Sequence, residues 1–155
     1  WDEVDFMRGE WRMPGERMKM RRPHVVPLST QAVSLLQELH SYTGHMPLMF
    51  PSYRNPNNAM SNTTINKALE RMGWQGKFSG HGFRSTASTL LNEHGWRGDL
   101  IEKQLAHMPG DKVRAAYNHA DYLKERREML QWYSDYIDAL MQGAAAPLVP
   151  ERMRA

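Results

Sequence analysis

The sequence predicts a mainly α-helical domain of the α+β class, with a small N-terminal antiparallel β-sheet of about three strands. Short β-branched and aromatic runs separated by turn residues occupy positions 1–28, and apolar residues recur at helical spacing through much of positions 29–141. A length of 155 residues suits one domain with its own core. We expect this domain over residues 1–142 and a mobile tail over residues 143–155, where no periodicity is found.

Three strands are expected before position 29. The stretch WDEVDF alternates in polarity, RGE forms a turn, EWRMP continues extended, and HVVPLS is a short β-branched run. Between the last two runs lies GERMKMRRPH, at positions 15–24, which is the most basic stretch of the chain. We expect this stretch at a hairpin tip or in a loop.

Four helices are expected after the sheet, with starts at Ser29, at Ser61 or Asn62, after Gly82, and at Asp99. The first ends at Gly44 and the second at Gly73, the proline-rich residues 45–60 form a loop between them, and the fourth ends at His107. Apolar residues at helical spacing define the faces expected to be buried: Ala32, Val33, Leu35, Leu36 and Leu39; Ile65, Ala68, Leu69 and Met72; Ala87, Leu90 and Leu91.

A long amphipathic helix is expected from about Asp121 to Met141, after a shorter segment capped by Asp111. Its apolar residues are separated by 7, 3, 4 and 3 positions, which favours one buried stripe. The expected stripe consists of Leu123, Leu130, Tyr133, Ile137 and Leu140.

Composition excludes several classes of site. The chain has no cysteine, so disulfides, thiolate zinc sites and cysteine nucleophiles are ruled out. Seven histidines are present without metal-ligand spacing, and neither a P-loop nor a G-x-S-x-G motif occurs, so we expect no metal and no cofactor. No apolar run approaches the roughly 18 residues of a membrane span, so no membrane partner is expected. A net charge of +3 and a pI near 9.3 mildly favour a polyanionic partner.

Four features remain as candidates for chemistry: Lys19 in the basic stretch, His81 and Arg84 as H-x-x-R at a helix start, His107 at the end of QLAH, and Tyr117 in RAAYNHADY. Taken singly, each has an ordinary structural explanation as a solvated loop, a salt bridge, a helix cap or a packing residue. Their order and spacing are more informative than any one of them.

In that order, the four features resemble the catalytic domain of tyrosine recombinases, and specifically the integrases of prophages and genomic islands. Family members have a hairpin lysine, then H-x-x-R, then a histidine or tryptophan closing an L-[GA]-H helix end, and a tyrosine nine or ten residues later. KMRRPHVVPLS and YNHADYLKERREMLQWYSDYID also resemble the corresponding stretches of these integrases. The resemblance covers residues 1 to about 141.

The resemblance implies a role for each candidate. Tyr117 would attack a DNA phosphorus and form a 3′-phosphotyrosyl bond, so that rejoining needs no ATP. Arg84, His81 and His107 would bind the phosphate oxygens, and Lys19 would protonate the leaving 5′-oxygen. Tyr122 is the rival nucleophile, but its distance from His107 along the chain is too long for the family pattern. Gly80 and Gly82 are expected to admit a phosphate. Ser85, Thr86 and Ser88 are expected to act as caps, with phosphate contacts as the alternative. Four cations are expected to contact the DNA backbone: Arg21, Arg22, Lys112 and Arg114.

One element of the family pattern is absent from the chain. The family uses a second arginine on a helix ahead of the first strand, and neither Arg8 nor Arg12 matches its context. We therefore expect a catalytic domain truncated at its N-terminus, and a fragment that is inactive or weak by itself.

The expected function is site-specific DNA recombination in the bacterial cytoplasm, in association with the nucleoid. The expected partners are double-stranded attachment sites and other protomers, which form a tetramer on DNA in the full-length protein. Three alternatives stay open: a type IB topoisomerase, a DNA-binding remnant without catalysis, and a helical interaction domain with coincidental motifs.

Overall fold

A three-stranded antiparallel sheet opens the chain. The structure, a computed structural model, describes residues 1–18, 21–106 and 122–155. Strands β1 (Val4–Asp5), β2 (Glu10–Met13) and β3 (His24–Pro27) lie in the order β1-β2-β3. Trp11 is paired with Val4 on one side and with Val26 on the other. The predicted sheet is therefore confirmed.

Helices account for most of the remaining described residues, which confirms the mainly α-helical class. They are α1 (Thr30–Thr43), α2 (Thr64–Arg71), α3 (Gly80–Glu93), α4 (Gly98–Gln104) and α5 (Leu123–Gln142). Short 3₁₀ turns lie at Gly15–Arg17 and Glu151–Met153. The helix start expected at Asp111 lies outside the described residues.

Helix ends follow the predicted capping residues only in part. Ser29 caps α1, because its hydroxyl accepts a hydrogen bond of 3.2 Å from the backbone N–H of Ala32. Ser61 does not cap α2, since its hydroxyl accepts from the N–H of Thr63, which lies just ahead of the helix. Helix α4 ends at Gln104, where Leu105 caps it, and not at His107.

The core lies where α3, α4 and α5 meet. Its fully buried side chains include Trp96, Leu100, Ile101 and Met129. Aromatic rings extend this core along α5: the Trp132 ring lies 5.7 Å from the Trp96 ring, in an edge contact. The helices that flank the candidate site are therefore fixed by one shared set of apolar contacts.

The buried stripe of α5 differs from the predicted one. Its buried residues are Arg126, Met129, Trp132 and Tyr136. Leu140 is 55% exposed, whereas Tyr133 and Ile137 are partly buried at the edge of the core. Apolar residues cover a wide arc of this helix, so helical spacing alone did not identify the stripe that faces the core.

The predicted apolar faces of α1 and α2 are also largely unburied. Neither helix contains a buried residue, and Leu35, Ile65 and Met72 are 67%, 46% and 70% exposed. On α3, by contrast, Leu91 is buried and Leu90 packs against the core, as predicted.

Residues 143–155 pack against the domain, although a mobile tail was expected there. Val149 and Met153 are buried in the core, and the indole N–H of Trp132 donates to the carbonyl of Pro147 at 2.9 Å. Arg154 forms an antiparallel bridge with Trp96. The sequence did not predict this packing, because the buried residues are single apolar residues in irregular chain. They have no helical or strand spacing that would indicate burial.

Two neighbouring arginines of α5 attach that helix to the sheet. Arg127 pairs with the buried carboxylate of Glu10 at 2.7 Å and also donates to the carbonyls of Arg8 and Gly9. Arg126 donates to the carbonyl of Val25 in β3 at 2.7 Å. The sheet is consequently held against the helix that follows residues 107–121.

Candidate active site

His81 and Arg84 lie in the first turns of α3, and both side chains are exposed. The side chain of Asn66, on α2, accepts a hydrogen bond of 2.8 Å from the backbone N–H of Gly80 and so fixes the start of α3. Helix α3 begins earlier than predicted. Ser85, Thr86 and Ser88 therefore lie inside the helix and are not caps of its N-terminus, as we had expected.

Gly82 is required for packing of an aromatic ring. A Cβ atom added at this position would lie 2.9 Å from the ring of Phe78, closer than any real side chain tolerates. The Phe78 ring also makes an edge contact with Phe83, at 4.9 Å between ring centroids. This packing gives a reason for Gly82 other than the close approach of a phosphate that we expected.

Arg84 joins the start of α3 to the end of α4. Its Nη2 donates a hydrogen bond to the backbone carbonyl of Leu105, the residue that caps α4. A guanidinium has five N–H donors, so this contact orients the group and leaves further donors for an anion. The fork of Arg84 is therefore held in place by protein structure before any phosphate binds.

A cavity of about 450 Å³ adjoins Arg84, between the sheet, α3, α4 and α5. Its lining includes Met18 and Ala106, which are the described residues next to Lys19 and His107 along the chain. Arg84 and the neighbours of two other candidates thus border one cavity. The candidates Lys19, His107, Tyr117, Lys112 and Arg114 themselves lie outside the described residues.

Positive charges lie around Lys103 near the end of α4, the helix whose cap accepts the hydrogen bond from Arg84. Burial lowers the pKa of Lys103, and the positive charges of Arg126 and Arg22 lower it further. Across residues 1–18, 21–106 and 122–155, no carboxylate lies within ion-pair distance of Arg22, Arg84 or Lys103. Such uncompensated cations favour a bound polyanion.

The basic stretch contains two of the predicted DNA contacts. Arg21 and Arg22 are both exposed, and Arg21 has a left-handed backbone with φ of 51°. Arg17 in the same stretch is paired with Glu3 at 2.7 Å, so its charge is partly compensated. Among the described arginines of this stretch, Arg21 and Arg22 have no carboxylate of the described ranges within ion-pair distance and so remain candidates for phosphate contacts.

Tyr122, the rival nucleophile, has a hydroxyl that is already engaged. It forms a hydrogen bond with Asp99, and Arg97 lies 5.6 Å from its ring. The hydrogen bond to Asp99 and burial raise the pKa of Tyr122, while Arg97 offsets part of the rise. A raised pKa disfavours the phenolate that attacks phosphorus, so this environment argues against Tyr122 as the nucleophile.

Arg126 was not recognised from the sequence as a residue of this region. It is 3% exposed, and its guanidinium donates twice to the side-chain oxygen of Gln104, at 2.7 and 3.0 Å. Arg126 continues the buried stripe of Met129 and Trp132 one turn toward the helix start, but no signal in the sequence identified it, because that stripe is defined by tertiary contacts.

The described ranges contain neither a metal-binding cluster nor a membrane-spanning helix. There, no group of three or more histidine, aspartate or glutamate side chains is placed to hold a metal ion. None of the helices in these ranges is both long and apolar enough to cross a bilayer.

Comparisons with known proteins connect this geometry to a family. The model of the phage integrase family matches residues 1–124. Over 93% of the present chain, the sequence is 46% identical to prophage integrase IntA of Escherichia coli K12. Over 97% of the present chain, it is 47% identical to prophage integrase IntZ of the same strain. It is 44% identical to the integrase of Enterobacteria phage P4 over 89%.

The chain spans 35%, 37% and 35% of the length of these three relatives. No solved structure matches it significantly. The family match covers well over half of the sequence, and the H-x-x-R motif lies in the matched region. The chain therefore belongs to the phage integrase family.

Proposed function

We propose that residues 1–142, with residues 143–155 packed against them, form the catalytic domain of a longer site-specific recombinase that integrates and excises a prophage or genomic island. The substrate is double-stranded DNA at attachment sites in the bacterial cytoplasm, in association with the nucleoid. Family membership and the names of the relatives support this assignment.

Cleavage proceeds by attack of Tyr117 on a DNA phosphorus. A bond forms between the phenolic oxygen and phosphorus, and the bond from phosphorus to the 5′-oxygen breaks. The leaving 5′-oxygen keeps the electron pair and takes a proton from Lys19. Rejoining is the reverse reaction: a 5′-hydroxyl of the partner strand attacks the phosphotyrosine, its proton passes to Lys19, and Tyr117 is released.

The cationic side chains lower the activation free energy of this step by stabilising the negative charge of the transition state. A free tyrosine has a pKa near 10, so only about one in a thousand is ionised at neutral pH. Arg84, His81 and His107 bind the non-bridging oxygens, and one of the two histidines accepts the phenolic proton. Because these side chains neutralise the charge, the reaction needs no metal. Rejoining needs no ATP, because the phosphotyrosyl bond conserves the energy of the phosphodiester bond that was broken.

Backbone contacts and assembly complete the proposal. Arg21, Arg22, Lys112 and Arg114 contact DNA phosphates and contribute affinity that is independent of sequence. Four protomers act together on DNA. The isolated chain is impaired, since the family's second arginine lies on a helix ahead of the first strand and has no counterpart among residues 1–155.

The contact between Arg84 and Leu105 is the observation that carries the proposal, because it joins the H-x-x-R motif to the element that leads to His107. The test uses the full-length protein and a duplex attachment site nicked near the cleavage point, so that the short cleaved strand is lost and the adduct persists. We expect a protein–DNA adduct that resists denaturation, linked through Tyr117. A protein that binds this duplex without forming an adduct would be a DNA-binding remnant.

A type IB topoisomerase would form the same covalent bond, and a second assay separates the two functions. Supercoiled plasmids are incubated with and without a partner attachment site. A recombinase exchanges strands between two sites, whereas relaxation without any partner site would favour the topoisomerase.

A further inference from the structure

Arg126 is a buried cation whose hydrogen-bond partners among the described residues are all neutral. Its side chain is 3% exposed, and its three hydrogen bonds go to neutral acceptors, the side-chain oxygen of Gln104 and the carbonyl of Val25. In the part of the chain that the structure describes, no carboxylate lies within ion-pair distance of it. Burial lowers its pKa to about 10, so it remains protonated at neutral pH.

Stability of the fold alone does not explain why an arginine occupies this buried position. A buried charge costs desolvation energy, and apolar residues of similar volume often replace buried ionic groups at no loss of stability. The rest of the stripe is apolar, with Met129 one turn further along. An arginine at this position is therefore better explained by what it holds together.

The three residues of this contact, Arg126 and its two partners, belong to elements that adjoin the candidate catalytic residues. Gln104 ends α4, three positions ahead of His107, and Arg126 lies in the first turn of α5. The contact thus joins the two flanks of residues 107–121, which contain Tyr117. Val25 lies in β3, directly after the basic stretch that contains Lys19.

Gln104 also connects Arg126 to Arg84. The residue after Gln104 is Leu105, whose carbonyl accepts the hydrogen bond from Arg84. One guanidinium therefore fixes β3, the end of α4 and the start of α5 in relation to the anion-binding arginine. A lysine would provide a single point charge in place of this planar fork.

We propose that Arg126 is a positioning residue for strand cleavage, which fixes the flanks of residues 107–121 and the strand that follows Lys19 relative to Arg84. The inference rests on the proposed function. It assigns Arg126 no contact with DNA. Loss of its fork should slow the chemical step and leave DNA affinity unchanged, since misplacement of reacting groups by about 1 Å can cost roughly 100-fold in rate.

The experiment measures single-turnover adduct formation by the full-length protein on the nicked attachment-site duplex. The variants are Arg126→Lys and Arg126→Met, and the matched control is Arg127→Lys, which changes the neighbouring arginine that binds β2 and the adjacent carbonyls but not α4. DNA affinity and the urea midpoint are measured for each variant. Gln104→Ala removes the side-chain oxygen that accepts from Arg126, and it tests the same contact if Arg126→Met does not fold.

We expect both Arg126 variants and Gln104→Ala to slow adduct formation by roughly 100-fold with unchanged DNA affinity, whereas Arg127→Lys stays near the wild-type rate. Arg126→Met should slow cleavage without lowering the urea midpoint, a combination that a purely structural role does not produce. Folded Arg126→Lys or Gln104→Ala protein that cleaves at the wild-type rate would overturn the inference. So would Arg127→Lys slowing the reaction as much as Arg126→Lys.

The same assay separates this inference from the proposed function. Wild-type protein that forms no adduct through Tyr117 would refute the proposed function, and the inference with it. An adduct in the wild type together with normal rates in the Arg126 variants would refute the inference alone.

Discussion

The guanidinium of Arg84 donates a hydrogen bond to the backbone carbonyl of Leu105, which lies twenty-one residues later in the chain. The contact brings the start of α3 to the end of α4, so the H-x-x-R motif meets the L-A-H element. It also restricts the orientation of the guanidinium. A preoriented donor stabilises a transition state without the free-energy cost of reorienting during the reaction.

Arg84→Lys tests the importance of the planar fork. The substitution keeps the positive charge but loses bidentate geometry and the anchor on Leu105. We expect cleavage of the nicked duplex to slow by roughly 10² to 10³, with DNA affinity little changed. Single-turnover rates and binding curves measure the two effects.

Arg71→Lys is the control for Arg84→Lys, because it makes the same change on an exposed position of α2. It should cleave at the wild-type rate. Equal rates for Arg84→Lys and the wild type would contradict the proposed role of Arg84.

Salt dependence tests the proposed DNA contacts. Each phosphate contact releases condensed counterions, so the logarithm of the binding constant falls with the logarithm of salt concentration. Alanine at Arg21, Arg22, Lys112 or Arg114 should reduce that slope by roughly 1. The slopes are measured by titration of a fluorescent duplex over a range of salt concentrations.

Arg152→Ala provides the comparison for these substitutions, since Arg152 is paired with Glu128 at 2.6 Å. Its slope should equal that of the wild type. If the four substitutions also leave the slope unchanged, these residues do not contact phosphates.

The packed tail makes a prediction about stability. Met153 is 3% exposed, so Met153→Ala should lower the free energy of unfolding by about 2–5 kcal/mol, through lost burial and the cavity left behind. Leu148→Ala in the same tail should change it by less than about 0.5 kcal/mol, because Leu148 is 87% exposed. Urea unfolding measures both, and equal effects would mean that the tail is not packed in solution.

Asp99 makes a prediction about pH. Burial alone would raise its pKa, but hydrogen bonds from Arg97 and Tyr122 outweigh burial and hold the pKa below its ordinary value of 3.8. The ionised form therefore stabilises the fold above that value, and this contribution is lost as pH falls through the depressed pKa. Because the side chain is 44% exposed, the contribution should stay below about 1 kcal/mol.

The test of this prediction is Asp99→Asn in urea unfolding at several pH values. The variant should be less stable than the wild type at neutral pH, and the difference should shrink in acid. A difference in stability that does not vary with pH would contradict the assignment.

Local signals predicted the elements well. β-Branched runs separated by turn residues marked the sheet, and Ser29 marked the start of α1, because both depend on neighbours along the chain. Burial depended on tertiary contacts and was predicted less well. On α5 the core side was decided by Trp132 and Met129 packing against other helices, not by its leucine spacing.

In the candidate site too, local sequence predicted some residues, whereas those defined by tertiary contacts were missed. His81 and Arg84 were found from a short motif, whose residues lie close together in sequence. The anchors of the site, Leu105 and Arg126, could not be identified in this way. Leu105 acts through its backbone carbonyl, which any residue would provide. Arg126 acts through contacts with residues that lie 22 and 101 positions away in the sequence.

Tyr117→Phe in the full-length protein tests the central claim most directly, measured as the covalent adduct formed on the nicked attachment-site duplex. Loss of one phenolic oxygen should abolish the adduct and leave DNA binding intact, whereas Tyr122→Phe should still form it, since the Tyr122 hydroxyl is bound to Asp99. An adduct that persists in Tyr117→Phe, or disappears in a folded Tyr122→Phe protein, would contradict the assignment of Tyr117 as the residue that attacks DNA.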